Sequence, residues 1–147
     1  MNKILYVAFS MLLMTGTFAL EKTKEEKVAK YVLENIQKDY TSCYAFYLIA
    51  AESFKQDKIV DTLAKNKQVV AGLEKSADIA LKFSHDLGEV LELKPETMTK
   101  NIKKELKKIS AILKKQMQGR GSFCKKLIED QKQRIGYWED KGNKRIK

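Results

Sequence analysis

The sequence predicts an all-α protein, an antiparallel four-helix bundle that follows a signal peptide. Three observations favour this fold class. The 147 residues include one proline and seven glycines, so few residues interrupt helices. Apolar residues recur every three or four positions over long stretches, which is the spacing of one helix face. Short turn signals separate these stretches, and short connections favour antiparallel neighbours.

The N-terminus has the three parts of a secretory signal peptide. The positively charged MNK precedes the apolar ILYVAFSMLLM, and the small-residue pattern TFA ends at Ala19. We expect cleavage to remove residues 1–19 and to leave one helical domain, residues 20–147, outside the cytoplasm in a periplasmic or secreted form. The alternative is an uncleaved N-terminal anchor, for which the interrupted apolar run to Leu20 is only marginally long enough.

The first helix is predicted over about residues 24–54. Its core stripe consists of Val28, Val32, Ile36, Tyr40, Cys43, Tyr47, Ala50 and Phe54. The segment from Cys43 to Ala51 has no charge, so this part of the helix should be covered on several sides and form the centre of the bundle. The alternative places Phe46 and Ile49, which lie off the stripe, on an exposed apolar patch for a partner or an apolar ligand.

The second helix is predicted over about residues 57–93. Its seam consists of Ile59, Leu63, Asn66, Val70, Leu73, Ala77, Ala80, Ser84, Leu87 and Leu91. The alternating spacings of four and three are typical of helix bundles. A third helix should run over about residues 96–118, because Pro95 suits a first helical turn and disfavours helix at Lys94. Its stripe consists of Met98, Ile102, Leu106, Ile109, Leu113 and Met117.

A turn is predicted at residues 119–122, GRGS, where glycine would end one helix and serine would cap the next. The fourth helix then covers about residues 122–139. Its apolar residues are Leu127, Ile128, Ile135 and Trp138. The remaining residues, 140–147, are expected to form a frayed basic tail.

Two cysteines, Cys43 and Cys124, predict one disulfide, because a signal peptide directs the chain to an oxidising compartment. With a rise of about 1.5 Å per residue, Cys43 lies about 28 Å up the first helix and Cys124 about 21 Å up the fourth. This difference is comparable with the error of predicted helix boundaries. The alternative is two unpaired buried thiols.

Motifs for catalysis or for a cofactor do not stand out. His85 is the only histidine, and the chain has no Cys-x-x-Cys, so neither a zinc site nor covalently attached haem is expected. His85 and Asp86 could orient a general base, but a lone histidine on a helix is more often structural. We therefore expect no enzyme activity, no cofactor and no metal.

Charge is distributed unevenly along the chain. Residues 21–95 contain 12 Lys/Arg and 13 Asp/Glu, whereas residues 96–147 contain 16 Lys/Arg and 6 Asp/Glu. On the third helix the lysines lie opposite the core stripe. They are Lys100, Lys103, Lys104, Lys107, Lys108, Lys114 and Lys115. This face is either an ordinary solvated surface or a site that attracts an anionic partner.

These features leave two hypotheses about function. The first is a non-catalytic protein-binding module of the inhibitor, immunity or accessory type, which acts outside the cytoplasm. The second is an envelope-associated factor that binds anionic lipid or an anionic polymer through the lysine face. Nucleic acid is an unlikely partner, because an exported chain meets little of it and the lysine face lacks interleaved aromatic residues.

Overall fold

The computed structural model of the chain describes residues 22–56 and 63–147, without the side chains of residues 63–66 and 112–118. These described residues are mostly α-helical and contain no strand. The helices are α1 (Lys24–Gln56), α2 (Leu63–Val90), α3 (Pro95–Glu129) and α4 (Gln131–Arg145). Within this part of the chain, none of the helices is both long and apolar enough to cross a membrane. The predicted signal peptide lies outside the described residues.

Helix α1 begins at a capping box and is the helix on which all others pack. The Thr23 hydroxyl accepts a hydrogen bond from the Glu26 amide at 3.2 Å, and the Glu26 carboxylate accepts one from the Thr23 amide at 3.0 Å. This reciprocal pair satisfies two amides at the helix start. The predicted core stripe of α1 is confirmed from Val28 to Ala50, since each of its members there is buried.

Helix α2 runs antiparallel to α1. Gln37, near the middle of α1, contacts Ser84, while Lys55 at the end of α1 pairs with Glu74 at 2.9 Å. The predicted seam is confirmed where side chains are described, because its members are buried or partly buried. These members are Val70, Leu73, Ala77, Ala80, Ser84, Leu87 and Leu91. The first three predicted seam positions, at residues 59, 63 and 66, lie outside the described side chains.

The turn between α2 and α3 is a Schellman motif without glycine. The Leu93 amide donates to the Gly88 carbonyl at 2.9 Å, and the Glu92 amide donates to the Glu89 carbonyl at 2.9 Å. Glu92 takes the left-handed conformation, with φ of 55°, which glycine usually supplies at this position. Pro95 then begins α3, as predicted.

The predicted turn at residues 119–122 is wrong, because these residues lie inside α3. The two glycines of this segment, Gly119 and Gly121, have negative φ, so neither forms the left-handed cap that a turn would need. Glycine within a helix costs only about 1 kcal/mol relative to alanine. The break instead falls at Asp130, whose extended backbone ends α3 and whose carboxylate caps α4 by accepting from the Lys132 amide at 3.1 Å.

The last part of α3 runs antiparallel to α1. Gly121 lies beside Phe46, while the Tyr40 hydroxyl, further back along α1, donates to the Leu127 carbonyl at 3.2 Å. Between these contacts, Cys43 and Cys124 form a disulfide with a Cα–Cα distance of 5.4 Å. The predicted pairing of the cysteines is thus confirmed. It is consistent with an oxidising, extracytoplasmic compartment.

Helix α3 cannot be straight. A side-chain carbon added at Gly88 would collide with Met98, so the start of α3 lies against the end of α2. Gly88 is one turn from Ser84, which bonds Thr41, and Thr41 is two residues from Cys43. A straight helix would place Cys124 about 39 Å from Met98. Met98 contacts Gly88 and Cys124 is bonded to Cys43, however, and the contacts just described hold Gly88 and Cys43 closer together than that. Helix α3 therefore bends between Met98 and Cys124.

The frayed tail predicted at residues 140–147 is also wrong, because α4 continues to Arg145. Gly142 is buried against Val28 and Tyr31 of α1, where an added carbon would lie 3.1 and 3.2 Å from their side chains. The absence of a side chain at Gly142 allows the two helices to approach closely. This contact holds the last turns of α4 against α1.

Because Tyr47 lies at the centre of the core, we expect Tyr47→Ala to lower the free energy of unfolding strongly. Tyr47 is 7% exposed and stacks edge-on against Phe46 at 5.4 Å. Its loss should lower the free energy of unfolding by about 3–5 kcal/mol, as truncation of buried aromatic residues does. Lys38→Ala, at an exposed position of the same helix, should cost under about 0.5 kcal/mol. Urea denaturation measures both, and equal losses would contradict a core at Tyr47.

The disulfide predicts a second result. Thiol titration of the unfolded, unreduced protein should detect no free cysteine. Reduction should lower the free energy of unfolding by about 4 kcal/mol, because the bond closes a separation of 81 residues in the unfolded chain. One reactive thiol per cysteine before reduction would rule out the bond.

Candidate functional site

The basic face of α3 consists of Lys100, Lys103, Lys104, Lys107 and Lys108, all of which are exposed. They lie opposite the buried residues Met98 and Ile109 of the same helix. The other two predicted members, Lys114 and Lys115, lie outside the described side chains. The structure thus brings five of the predicted lysines onto one solvent-facing surface.

Little of the charge on the basic face is neutralised by described residues. Among ion pairs within this part of the chain, only Lys108 is engaged, with Glu105 at 3.4 Å. The other carboxylate oxygen of Glu105 is buried without a hydrogen-bond partner among the described groups. Lysine ammonium groups are mobile point charges and do not form the rigid two-pronged contacts of arginine. The face can therefore attract a diffuse anionic surface.

The apolar patch hypothesised at Phe46 and Ile49 is not exposed as that hypothesis requires. Phe46 is only 4% exposed, and Ile49 is partly buried against the core. The physical reason is the continuation of α3, since Gly121 lies over the Phe46 ring and Arg120 donates to the Ser42 hydroxyl at 2.6 Å. The side chains of Phe46 and Ile49 therefore contribute to packing within the core.

His85 is exposed on α2. The neighbouring Asp86 pairs with Lys82 at 3.9 Å, and no hydrogen bond between His85 and Asp86 is present among the described contacts. Within residues 22–56 and 63–147, no group of three or more His, Cys, Asp or Glu side chains is placed to hold a metal ion.

A cluster around Arg134, which the sequence did not predict, joins α4 to α1. Asp39 accepts two hydrogen bonds from the Arg134 guanidinium, at 2.7 and 3.2 Å, and one from the Trp138 indole at 2.7 Å. The guanidinium carbon also lies 4.6 Å from the ring centroid of Trp138, 4.5 Å from that of Tyr137 and 5.0 Å from that of Phe123. The charge of Arg134 is thus matched by one carboxylate and surrounded by aromatic rings.

The sequence held one weak signal for this cluster. Asp39 adjoins the core stripe between Ile36 and Tyr40, where an acid would be costly without a partner. Its partner Arg134 lies 95 residues away, so spacing along the chain could not identify the pair.

A second polar cluster lies inside the contact between α1 and α2. The hydroxyls of Thr41 and Ser84 are 2.7 Å apart, and the Gln37 amide donates to both at 3.2 Å. All three residues are buried. Because buried polar groups are stable only when paired, this cluster favours one register of α2 on α1.

Burial also changes the chemistry of two tyrosines near the disulfide. It raises the pKa of Tyr40 well above the ordinary value, with a smaller contribution from the charge of Asp39. It raises the pKa of Tyr47 as well, and Glu129 adds to this effect. Both hydroxyls therefore stay protonated to a higher pH than that of an ordinary tyrosine.

Comparisons of this chain with protein-family profiles, with curated proteins and with solved structures find no match.

The Arg134 cluster predicts that Asp39→Asn lowers the free energy of unfolding. The substitution removes the charge that faces Arg134, so the free energy of unfolding should fall by about 2 kcal/mol, the value of hydrogen bonds to charged groups. The emission of Trp138, the only tryptophan, should change as well. Asp78→Asn, at an exposed position of α2, is the matched control and should alter neither measurement. An unchanged stability of Asp39→Asn would contradict this role.

Proposed function

We propose that the protein is an exported, non-catalytic binding protein that associates with anionic membrane surfaces through the basic face of α3. The observation that carries this proposal is the group of five exposed lysines on one side of α3. Lysines near an anionic membrane contribute about 1 kcal/mol each at best, so several together give measurable binding. An anionic envelope polymer offers the same chemistry and is the alternative source of negative charge.

The proposed setting and scaffold follow from the sequence. Residues 1–19 would be the signal peptide, and residues 20–147 would form an antiparallel four-helix bundle as a single domain outside the cytoplasm. The disulfide supports an oxidising compartment, and the antiparallel packing of α2 and of the end of α3 on α1 supports the bundle. N-terminal sequencing of the exported protein should begin near Leu20.

A lipid surface fits the basic face better than a specific protein does. Protein interfaces draw most of their energy from buried aromatic and arginine side chains, and the basic face has neither. Its lysines also spread over a broad arc of the helix, which suits a partner whose charges are spread over a surface. Binding of this kind depends on net electrostatic attraction and falls with salt.

The proposal predicts that the mature protein sediments with vesicles of phosphatidylglycerol and phosphatidylcholine, but not with phosphatidylcholine alone. Raising salt from about 0.05 to 0.5 M shortens the screening length about threefold and should release the protein. Changing Lys103, Lys104, Lys107 and Lys108 together to Glu should weaken binding by at least about a hundredfold. The bundle should remain folded, because all four side chains are exposed.

The matched control changes four exposed lysines of α1 to Glu. They are Lys24, Lys27, Lys30 and Lys38. This variant has the same net charge as the first, so it separates the effect of the basic face from that of total charge. Equal losses in both variants, or equal binding to neutral vesicles, would contradict the proposal. Binding to soluble polyphosphate without binding to vesicles would assign the face to a polymer.

A protein-binding module of the inhibitor, immunity or accessory type is the second candidate. The specific observation in its favour is the exposed aromatic side chain of Tyr137 in the Arg134 cluster, on α4 and not on α3.

A further inference from the structure

Glu105 lies between the buried side of α3 and the basic face. At about 100° per residue, Glu105 is about 40° around the helix from the buried Ile109, whereas Lys108 is about 100° from it. The side chain of Glu105 is 19% exposed and that of Lys108 is 57% exposed. The ion pair between them thus joins a partly buried acid to a lysine at the edge of the basic face.

The carboxylate of Glu105 depends on Lys108. One carboxylate oxygen lies 3.4 Å from the Lys108 ammonium nitrogen. The other is buried and has no hydrogen-bond partner among the described groups. A carboxylate that is removed from water is unfavourable unless it is paired. If Lys108 turned away, Glu105 would lose the cation that it contacts, so the pair restrains Lys108 on the protein side.

The other lysines of the basic face have no such restraint. Within the described part of the chain, the ion pairs include none of these four lysines, and all of them are exposed. They are Lys100, Lys103, Lys104 and Lys107. A lysine near an anionic membrane raises the binding constant by about fivefold at best. For Lys108, a gain of this size is offset by the loss of its contact with Glu105.

We propose that Glu105 withholds Lys108 from the anionic surface, so that Glu105 regulates how strongly the basic face binds. This inference rests on the proposed function and adds a regulatory residue to it. Four lysines act on the surface, while the fifth neutralises Glu105. Removal of the Glu105 charge releases Lys108 and makes binding tighter.

Glu105→Gln tests this inference in the vesicle assay with the mature, disulfide-bonded protein. The variant keeps the size of the side chain and removes its charge. It should bind vesicles of phosphatidylglycerol and phosphatidylcholine about fivefold more tightly, which is the effect of one further lysine. Glu25→Gln makes the same charge change at an exposed position of α1. This control should stay within about twofold of the unmodified protein, because screening limits long-range effects.

Two double variants with the net charge of the unmodified protein separate the ion pair from simple charge. Glu105→Gln with Lys108→Gln removes both members of the pair and should leave binding within about twofold, since Lys108 contributes little while it is paired. Lys104→Gln with Glu25→Gln removes an unrestrained lysine and an acid on α1. It should weaken binding by about fivefold. Circular dichroism checks the fold of each variant.

Nitrogen-15 NMR of the lysine ammonium groups tests the pair without lipid. Glu105→Gln should shift the signal of Lys108 and leave that of Lys104 in place, because only Lys108 contacts Glu105. An unchanged Lys108 signal would show that the pair is absent in solution and would overturn the inference.

The vesicle results overturn the inference in two further ways. Glu105→Gln might bind no more tightly than Glu25→Gln, or loss of the whole pair might weaken binding as much as loss of Lys104 does. Either result, with vesicle binding by the unmodified protein intact, rejects regulation by Glu105 and leaves the proposed function standing. Absence of vesicle binding by the unmodified protein, with the NMR shift present, rejects the proposed function itself and the regulation with it.

Discussion

The structure depends on one constraint, which is that the second half of α1 must be covered on nearly all sides. From Cys43 to Ala51 this helix has no charge, and Ala45, which lies off the predicted stripe, is as fully buried as Cys43 on it. One partner helix can cover only one side of such a segment. The arrangement of α2 and α3 follows, because both must pack on α1, and the bend in α3 allows its last part to return along α1.

Apolar burial does not by itself select one arrangement, since the hydrophobic effect has no direction. Directional contacts supply the selection. The Thr41–Ser84 hydrogen bond fixes the register of α2, the Cys43–Cys124 disulfide fixes the end of α3, and Asp39 fixes α4. All three contacts lie between Asp39 and Cys43, within about one turn of α1, so each helix that packs on α1 is held at this one level. The proposed binding surfaces lie on the outward sides of the helices that are held in this way.

Much of the scaffold could be predicted from the sequence, whereas most of the Arg134 cluster could not. Helical periodicity predicted the buried stripe of α1 and the exposed lysines of α3, because both depend on position around one helix. The turn predicted at residues 119–122 was wrong because the cost of glycine in a helix is small compared with the contacts that the helix gains on α1. The frayed tail predicted at residues 140–147 was wrong because Gly142 packs closely against α1, and α4 continues to Arg145. The Arg134 cluster depends on a contact between residues that lie 95 positions apart, which no local pattern records.

Amide hydrogen exchange, resolved by residue on the disulfide-bonded protein, tests the central role of α1 most directly. If the rest of the fold depends on covering α1, the amides from Ile36 to Ala51 should exchange most slowly, with the free energy of global unfolding. Amides in the exposed first turns of α2 and in the last turns of α4 should exchange earlier, through local opening. Exchange of the α1 segment before that of α2 would show that another helix forms the stable centre and would contradict the account.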